Sequence, residues 1–431
     1  MDNKAIKTIG GLLTILLLLF GNPVKAQNQL IKAAGYIDVQ LGRLVKPANI
    51  LIEGNLIKAI NPSTIPPQTT TIDLGDQILL PGLMDMHVHL DIDFSGSFDA
   101  AITKENASQG TLTGVKNARL TLLAGFTTVR NVGQVHYTKE LIDVALAEAS
   151  DKGWITAPRI VPSGHMISIE GGHGDLGLGL SEGLLEVGPE LGIISGTDQA
   201  TRAVRYQIKH GARVIKIHAT AGVLSMEESV GAQQLSDAEM RAVVEEAGRH
   251  NVKVCAHAHG TEGIKAAIRA GVHSIEHGSL LDEEGIELMK KNGVFMVPTT
   301  ALTTQIGGLL ANMEPRMADK ARYVLPLAQQ NLSRAIKAGV KIANGSDTPV
   351  IKHGDNALEV IALVDRGMSP AQALQAATVN CAELLSVSDR GVIAQGLLAD
   401  LIAVRANPLQ DITTLKEVTF VMKDGKVYKK L

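Results

Sequence analysis

The chain has 431 residues, 45% hydrophobic and 20% charged, which exceeds one small domain and excludes a disordered chain or a coiled coil. A formal charge of −3 and a poor aromatic complement (one Trp, five Tyr, six Phe) argue against nucleic acid as a partner. Two cysteines, Cys255 and Cys381, permit at most one disulfide and are read as buried free thiols.

In chain order, Lys4 and Lys7 precede the apolar stretch Ile9 to Phe20, followed by Val24-Lys25-Ala26 and Gln27. This is the pattern of a signal peptide over residues 1–26, and it predicts a periplasmic or secreted protein. The apolar stretch falls short of the roughly 20 residues that a stable transmembrane helix needs, so no stable membrane anchor is expected after cleavage.

From Ile50 to Leu80, short apolar runs cut by Gly and Pro predict short antiparallel strands. The same texture returns at Leu401 to Val404, Val418 to Met422 and Val427-Tyr428, with Asp424-Gly425 as a hairpin signal between the last two. Each end alone supplies too few strands to bury a face. Residues 27–81 and 392–431 are therefore expected to form one β-sandwich module.

Over residues 82–391, eight strand-like runs alternate with helical stretches, which predicts an α/β fold, a (β/α)8 TIM-like barrel. The runs are Met84 to Leu90, Thr127 to Asn131, Arg159 to Pro162, Val214 to His218, Val252 to His257, Ser274 to His277, Val294 to Pro298 and Val340 to Asn344. Among the helices, Asp237 to His250 carries Ala238, Val243, Val244 and Ala247 at helical spacing, with Ser236 as N-cap before Glu239. Two long connections, Ser163 to Gly196 and Thr299 to Pro315, follow the third and seventh runs at the end where such barrels keep their active sites.

His87 and His89 lie two apart on a strand and point to one face. Two satisfied core histidines are the bland alternative, and it loses weight because later strand ends supply further ligand types. These are Lys216 on the fourth run, His257 on the fifth, His277 on the sixth and Asp347 just after the eighth.

With these residues in place the sequence resembles the amidohydrolase superfamily, whose pattern is His-x-His, Lys, His, His and Asp on strands one, four, five, six and eight. The stretches that carry the resemblance are Leu80 to His89, Val214 to Ile217, His257-Ala258-His259-Gly260, Ile275-Glu276-His277-Gly278 and Gly345-Ser346-Asp347. The resemblance implies two divalent ions, zinc by default, bridged by a carboxylated Lys216. One ion would be held by His87, His89, Lys216 and Asp347, the other by Lys216, His257 and His277. It further implies attack on a carbonyl by a metal-bridged hydroxide, with Asp347 as the catalytic proton shuttle.

Four histidines are weaker candidates for substrate contact: His136 after the second run, His173 in Gly171-Gly172-His173-Gly174-Asp175, His259, and His353 in His353-Gly354-Asp355-Asn356. His218, two residues after Lys216, is a further weak candidate. No residue is singled out for a substrate carboxylate, although Arg202, Arg205, Arg213 and Tyr206 are available. Within the superfamily the sequence is similar to the imidazolonepropionase-like group, which holds Xaa-Pro and Xaa-Arg dipeptidases and ochratoxin-hydrolysing enzymes. That implies a small-molecule dipeptide or N-acyl amino acid as substrate and a homo-oligomeric enzyme. Ser346 stands where family members often carry Thr, which leaves the ligand intact but alters the adjoining pocket. The alternatives are a cyclic amidase, a mononuclear deaminase (disfavoured by Lys216) and, in another class, an exported metal- or ligand-binding protein without catalysis.

Overall fold

The computed structural model describes residues 28–93, 103–177, 187–305 and 313–431, with 181, 185 and 310; the expected signal segment lies outside them. Both chain ends meet in one six-stranded sheet, ordered Lys426–Lys430, Phe420–Lys423, Leu401–Val404, Ile78–Pro81, Gly35–Asp38 and Arg43–Val45. A four-stranded sheet, ordered Leu56–Ile60, Ala48–Glu53, Asn28–Ala33 and Thr70–Asp73, shares a buried apolar cluster with it. Ile31, Ile50 and Ile52 from the smaller sheet join Leu79, Leu401 and Phe420 from the larger in that cluster.

The pairing is mixed rather than purely antiparallel. Ile78–Pro81 runs antiparallel to Leu401–Val404 but parallel to Gly35–Asp38, and Thr70–Asp73 runs parallel to Asn28–Ala33. The intervening residues are long enough to return the chain to the same end before it pairs, as parallel strands require. The turn between the last two strands places Asp424 and Gly425 at φ +52° and +71°, the positive pair that a tight hairpin of matching twist needs.

Seven parallel strands fall within a residue or two of the predicted runs: Leu83–Val88, Phe126–Asn131, Arg159–Pro162, Val214–His218, Lys253–Ala258, Ser274–His277 and Phe295–Val297. They form two sheets in chain order, three strands and then four. Between the third and fourth strands a parallel bridge joins Ile167 to Ile217. On the other side, bridges join Met296 to Ile342 and Val88 to Thr348. Hydrogen-bonded neighbours thus run in a circuit, with helices such as Asp237–Arg249 packed against it. That helix starts as predicted, with Ser236 and Glu239 in reciprocal capping bonds.

The eighth run is not a regular strand. A Cβ at Gly345 would come within 2.3 Å of Val297 Cγ1 and 2.9 Å of His87 Cβ, so the chain passes its neighbours too closely for a side chain there. Two residues on, Asp347 turns into the left-handed region at φ +59°, which ends any strand geometry there.

Candidate metal centre

The first parallel strand carries the buried Asp85 and His87, with the half-buried His89 just past its end. Asp85 accepts from the backbone N–H of His87 at 3.1 Å and of Ser346 at 2.9 Å, and from Asn356 Nδ2 at 2.8 Å. Burial pushes its carboxyl up to about 6 against those bonds. It therefore ties the strand carrying His87 to the segment carrying Asp347.

His87 Nδ1 lies 2.8 Å from Glu276 Oε2, and the other Glu276 oxygen is paired with Arg130 Nη2 at 2.8 Å and accepts from Ser274 Oγ at 2.6 Å. His89 Nδ1 donates to the carbonyl of Gly133 at 2.8 Å. Acceptors at Nδ1 fix the proton there and leave each Nε2 as a lone pair. Those two nitrogens converge on Asp347 Oδ1, at 3.4 Å and 3.6 Å.

Lys216 is 1% exposed, and burial drives its ammonium pKa down. Its charge helps to lower the pKa of His87, His89 and His277 and favours the ionised form of Asp347. Among the described residues no carboxylate forms an ion pair with it.

Across the centre, His257 Nε2 is buried without a partner. The His277 ring stands 4.7 Å from the His257 ring and 5.1 Å from that of His87. His277 is held at φ +67°, with Nδ1 2.8 Å from Thr299 Oγ1. Glu359 in turn accepts from the N–H groups of Thr300 at 2.9 Å and Ala301 at 2.6 Å, and burial pushes its carboxyl up to about 8. Burial lowers the pKa of every histidine in the cluster, so each is neutral and able to ligate at neutral pH.

Two of the four weaker candidates join this cluster. His259 stacks on His277 at 4.9 Å, with Nδ1 2.7 Å from Ser279 Oγ, and His173 stacks on His257 at 4.3 Å, with Nδ1 2.7 Å from Ser225 Oγ. The other two are engaged by protein. His353 contacts Thr121 Oγ1 and the His89 carbonyl, each at 3.1 Å, and His136 sits between Asp91 at 2.9 Å and Glu105 at 3.3 Å. Arg202, Arg205 and Arg213 are ion-paired with Glu190, Glu246 and Asp151, which removes them as free carboxylate receptors.

The donor set fits divalent metal. His87, His89 and Asp347 form one group with ligand atoms within 4.8 Å of one another, and His257, His259 and His277 form a second. The orphaned His257 nitrogen and the oriented Nε2 atoms of His87 and His89 are the features such an ion would satisfy. Sequence reasoning missed Asp85, Arg130, Glu276, Thr299 and Glu359. The available signal was charge inside apolar strands, as at Met84-Asp85-Met86 and Ile275-Glu276-His277, since buried charges come paired.

The chain belongs to the amidohydrolase family, whose model matches residues 78–428. It has the mixed α/β content of its solved amidohydrolase relatives, whose fold is of the TIM-barrel type, and it is a hydrolase acting on amide C–N bonds. An ochratoxinase of Aspergillus niger is 37% identical over 378 residues, covering 82% of this chain and 76% of the relative. A solved Xaa-Pro dipeptidase with methionine bound in its active site superposes with a TM-score of 0.88 at 38% identity, covering 94% of this chain and all of the other. An imidazolonepropionase of Idiomarina loihiensis is 26% identical over 400 residues, covering 86% of this chain and 89% of the relative. Among the described residues no helix is long and apolar enough to cross a membrane.

Proposed function

We propose that the chain is an exported, homo-oligomeric, binuclear zinc amidohydrolase that cleaves dipeptides or N-acyl amino acids at an amide bond. On its amine side that bond carries an amino acid with a free carboxylate. The observation that carries the binuclear part is Lys216, a buried ammonium without a carboxylate partner whose charge acts on His87, His89, His277 and Asp347. Loss of two protons from that ammonium with addition of CO2 to Nζ would give an anionic carbamate able to serve as a ligand to both ions.

The ligand sets are then His87, His89, Lys216 and Asp347 for one ion and Lys216, His257 and His277 for the other. When bound, the ions supply an acidified water and Lewis-acid polarisation of the carbonyl. Asp347 takes the proton from the attacking water and passes it to the leaving amine. His173 and His259, stacked on His257 and His277, meet the substrate, whereas His136 and His353 brace neighbouring loops. The structural frame of this reading is a (β/α)8 barrel over residues 82–391, its eighth strand irregular, with a β-sandwich from residues 27–81 and 392–431.

The Aspergillus ochratoxinase and the Xaa-Pro dipeptidase support two substrate types that share this bond. Amino-acid release from the zinc-loaded mature chain, followed by mass spectrometry, separates them. Turnover of Xaa-Pro, Xaa-Arg or Xaa-Phe dipeptides alone makes the protein a dipeptidase that requires the α-ammonium. Turnover of N-acyl amino acids including ochratoxin A makes it an amidase that ignores that group. Silence across the panel overturns the reading in favour of cyclic amides.

A further inference from the structure

The helix Pro315–Ala338 carries two buried polar side chains about three turns apart, Lys320 and Asn331, 6% and 7% exposed. The Lys320 ammonium donates to the carbonyls of Gly222 at 2.7 Å, Ser225 at 2.7 Å and Glu227 at 2.9 Å. Its three hydrogens are thereby all spent on one loop. That loop stands on a neck closed by the antiparallel bridge of Thr220 to Gln233, with the N–H of Ala221 donating to the carbonyl of Ala232 at 2.9 Å. Beyond the neck it packs against His173. Ser225 Oγ lies 2.7 Å from His173 Nδ1, and a Cβ at Gly222 would come within 2.3 Å of the ring. Lys320 thus grips, by their own carbonyls, both residues that flank the His173 ring.

Asn331 does the same for a second ring. Its Nδ2 donates to the carbonyl of Ser279 at 2.8 Å, and Ser279 Oγ lies 2.7 Å from His259 Nδ1. Arg334 Nη2 donates to Asn331 Oδ1 at 2.5 Å, which fixes the orientation of the amide. In both cases the helix holds the backbone of a serine whose hydroxyl meets an imidazole.

We propose that Lys320 and Asn331 are positioning residues, which through Ser225 and Ser279 splint His173 and His259 to one helix and so set the substrate side of the amidohydrolase centre. A side chain that meets substrate binds best when its rotamer is locked by its surroundings. The rings of His87, His89 and His277 are braced elsewhere, by Glu276, Gly133 and Thr299, so loosening the helix contacts weakens substrate binding without releasing metal. That His173 and His259 meet substrate rests on the proposed function; the two hydrogen-bonded chains stand without it.

The test is the KM-against-kcat split of Lys320→Met and Asn331→Leu in the zinc-loaded protein, on whichever of the dipeptides and N-acyl amino acids the wild type turns over, beside His173→Leu and His259→Leu. Each helix variant should raise KM by about three- to tenfold, the scale of one hydrogen bond, with kcat and zinc content unchanged. Crystal structures of the two helix variants should show Ser225 withdrawn from His173 in the first and Ser279 from His259 in the second. Either variant suffices if the other does not fold. A KM raised in His173→Leu and His259→Leu but unchanged in the helix variants overturns the inference and leaves the proposed function standing. So does a lowered Tm with KM and both serine hydroxyls where they were, the mark of a merely structural contact. A KM unchanged in all four variants overturns the inference together with the substrate role of the two histidines. If the wild type turns over none of these substrates, the proposed function falls and the crystal structures decide: displaced serines support the splint, and serines still on their rings overturn it.

Discussion

The two halves of the proposed metal centre use the same residue type and brace it differently. On the Asp347 side, the Glu276 carboxylate and the Gly133 carbonyl accept from Nδ1 of His87 and His89, so each ring is set for ligation through Nε2 before any ion arrives. On the far side, His277, His259 and His173 rest on the hydroxyls of Thr299, Ser279 and Ser225. A hydroxyl donates as readily as it accepts, so it does not choose the tautomer, and His257 has no partner at Nε2 at all. One half is preorganised and the other is completed by its ligand. The half without fixed tautomers is expected to hold its ion more weakly and to lose it first to a chelator.

The largest test of this contrast removes what the halves share. Lys216→Ala should bind less metal and lose turnover, with partial rescue by short carboxylic acids that replace the carbamate; wild-type activity would break the binuclear scheme. Asp347→Asn should lower kcat by orders of magnitude with circular dichroism unchanged, and a mild effect would reduce Asp347 to a ligand.

Next in size is the brace on the preorganised side. Glu276→Gln removes the carboxylate on His87 and strands Arg130, whose guanidinium is 2% exposed. Zinc affinity by chelator competition should fall about 10- to 100-fold, and stability should drop by about 3–5 kcal/mol from the broken buried pair. On the far side, Thr299→Val deletes one neutral hydrogen bond, worth about 0.5–1.5 kcal/mol, and should cost roughly tenfold or less in zinc affinity. Equal losses in the two variants would dissolve the contrast.

A separate expected effect is on the pH profile of stability. Glu359 has a folded pKa near 8 against an ordinary value of 4.5, so between those values the folded state keeps a proton that the unfolded state has lost. Its contribution therefore makes stability fall as pH rises through that window, and Glu359→Gln should flatten the slope in urea unfolding at pH 5 and pH 8. An unchanged slope would show that Glu359 is ionised in the folded chain.

The six proposed ligand positions were legible because each is a ligating residue type within or just after a strand-like run, which a sequence displays directly. Their supports were not. Glu276 is 189 residues from His87 and 146 from Arg130, so its charge was visible but its partners depended on the fold. The eighth run read as a strand because Val340 to Asn344 is apolar; the close passage of Gly345 over Val297 and His87 and the left-handed turn at Asp347 are set by the fold, which no local pattern records. The strands Asn28–Ala33, Gly35–Asp38 and Arg43–Val45 also escaped notice. Only Leu30 and Ile31 are buried in the first, so no sustained apolar run marks it.

Leu401–Val404 sits between Ile78–Pro81 and Phe420–Lys423, so a strand made early in synthesis keeps one edge unpaired until nearly the whole chain has emerged. Such an open edge is a template for pairing with another chain. The nascent protein therefore carries its greatest aggregation hazard late, and a truncation after residue 400 leaves that edge, with the apolar Ile78-Leu79-Leu80, permanently open. Solubility of the newly made chain, more than stability of the finished one, is where the sewing together of its two ends is felt.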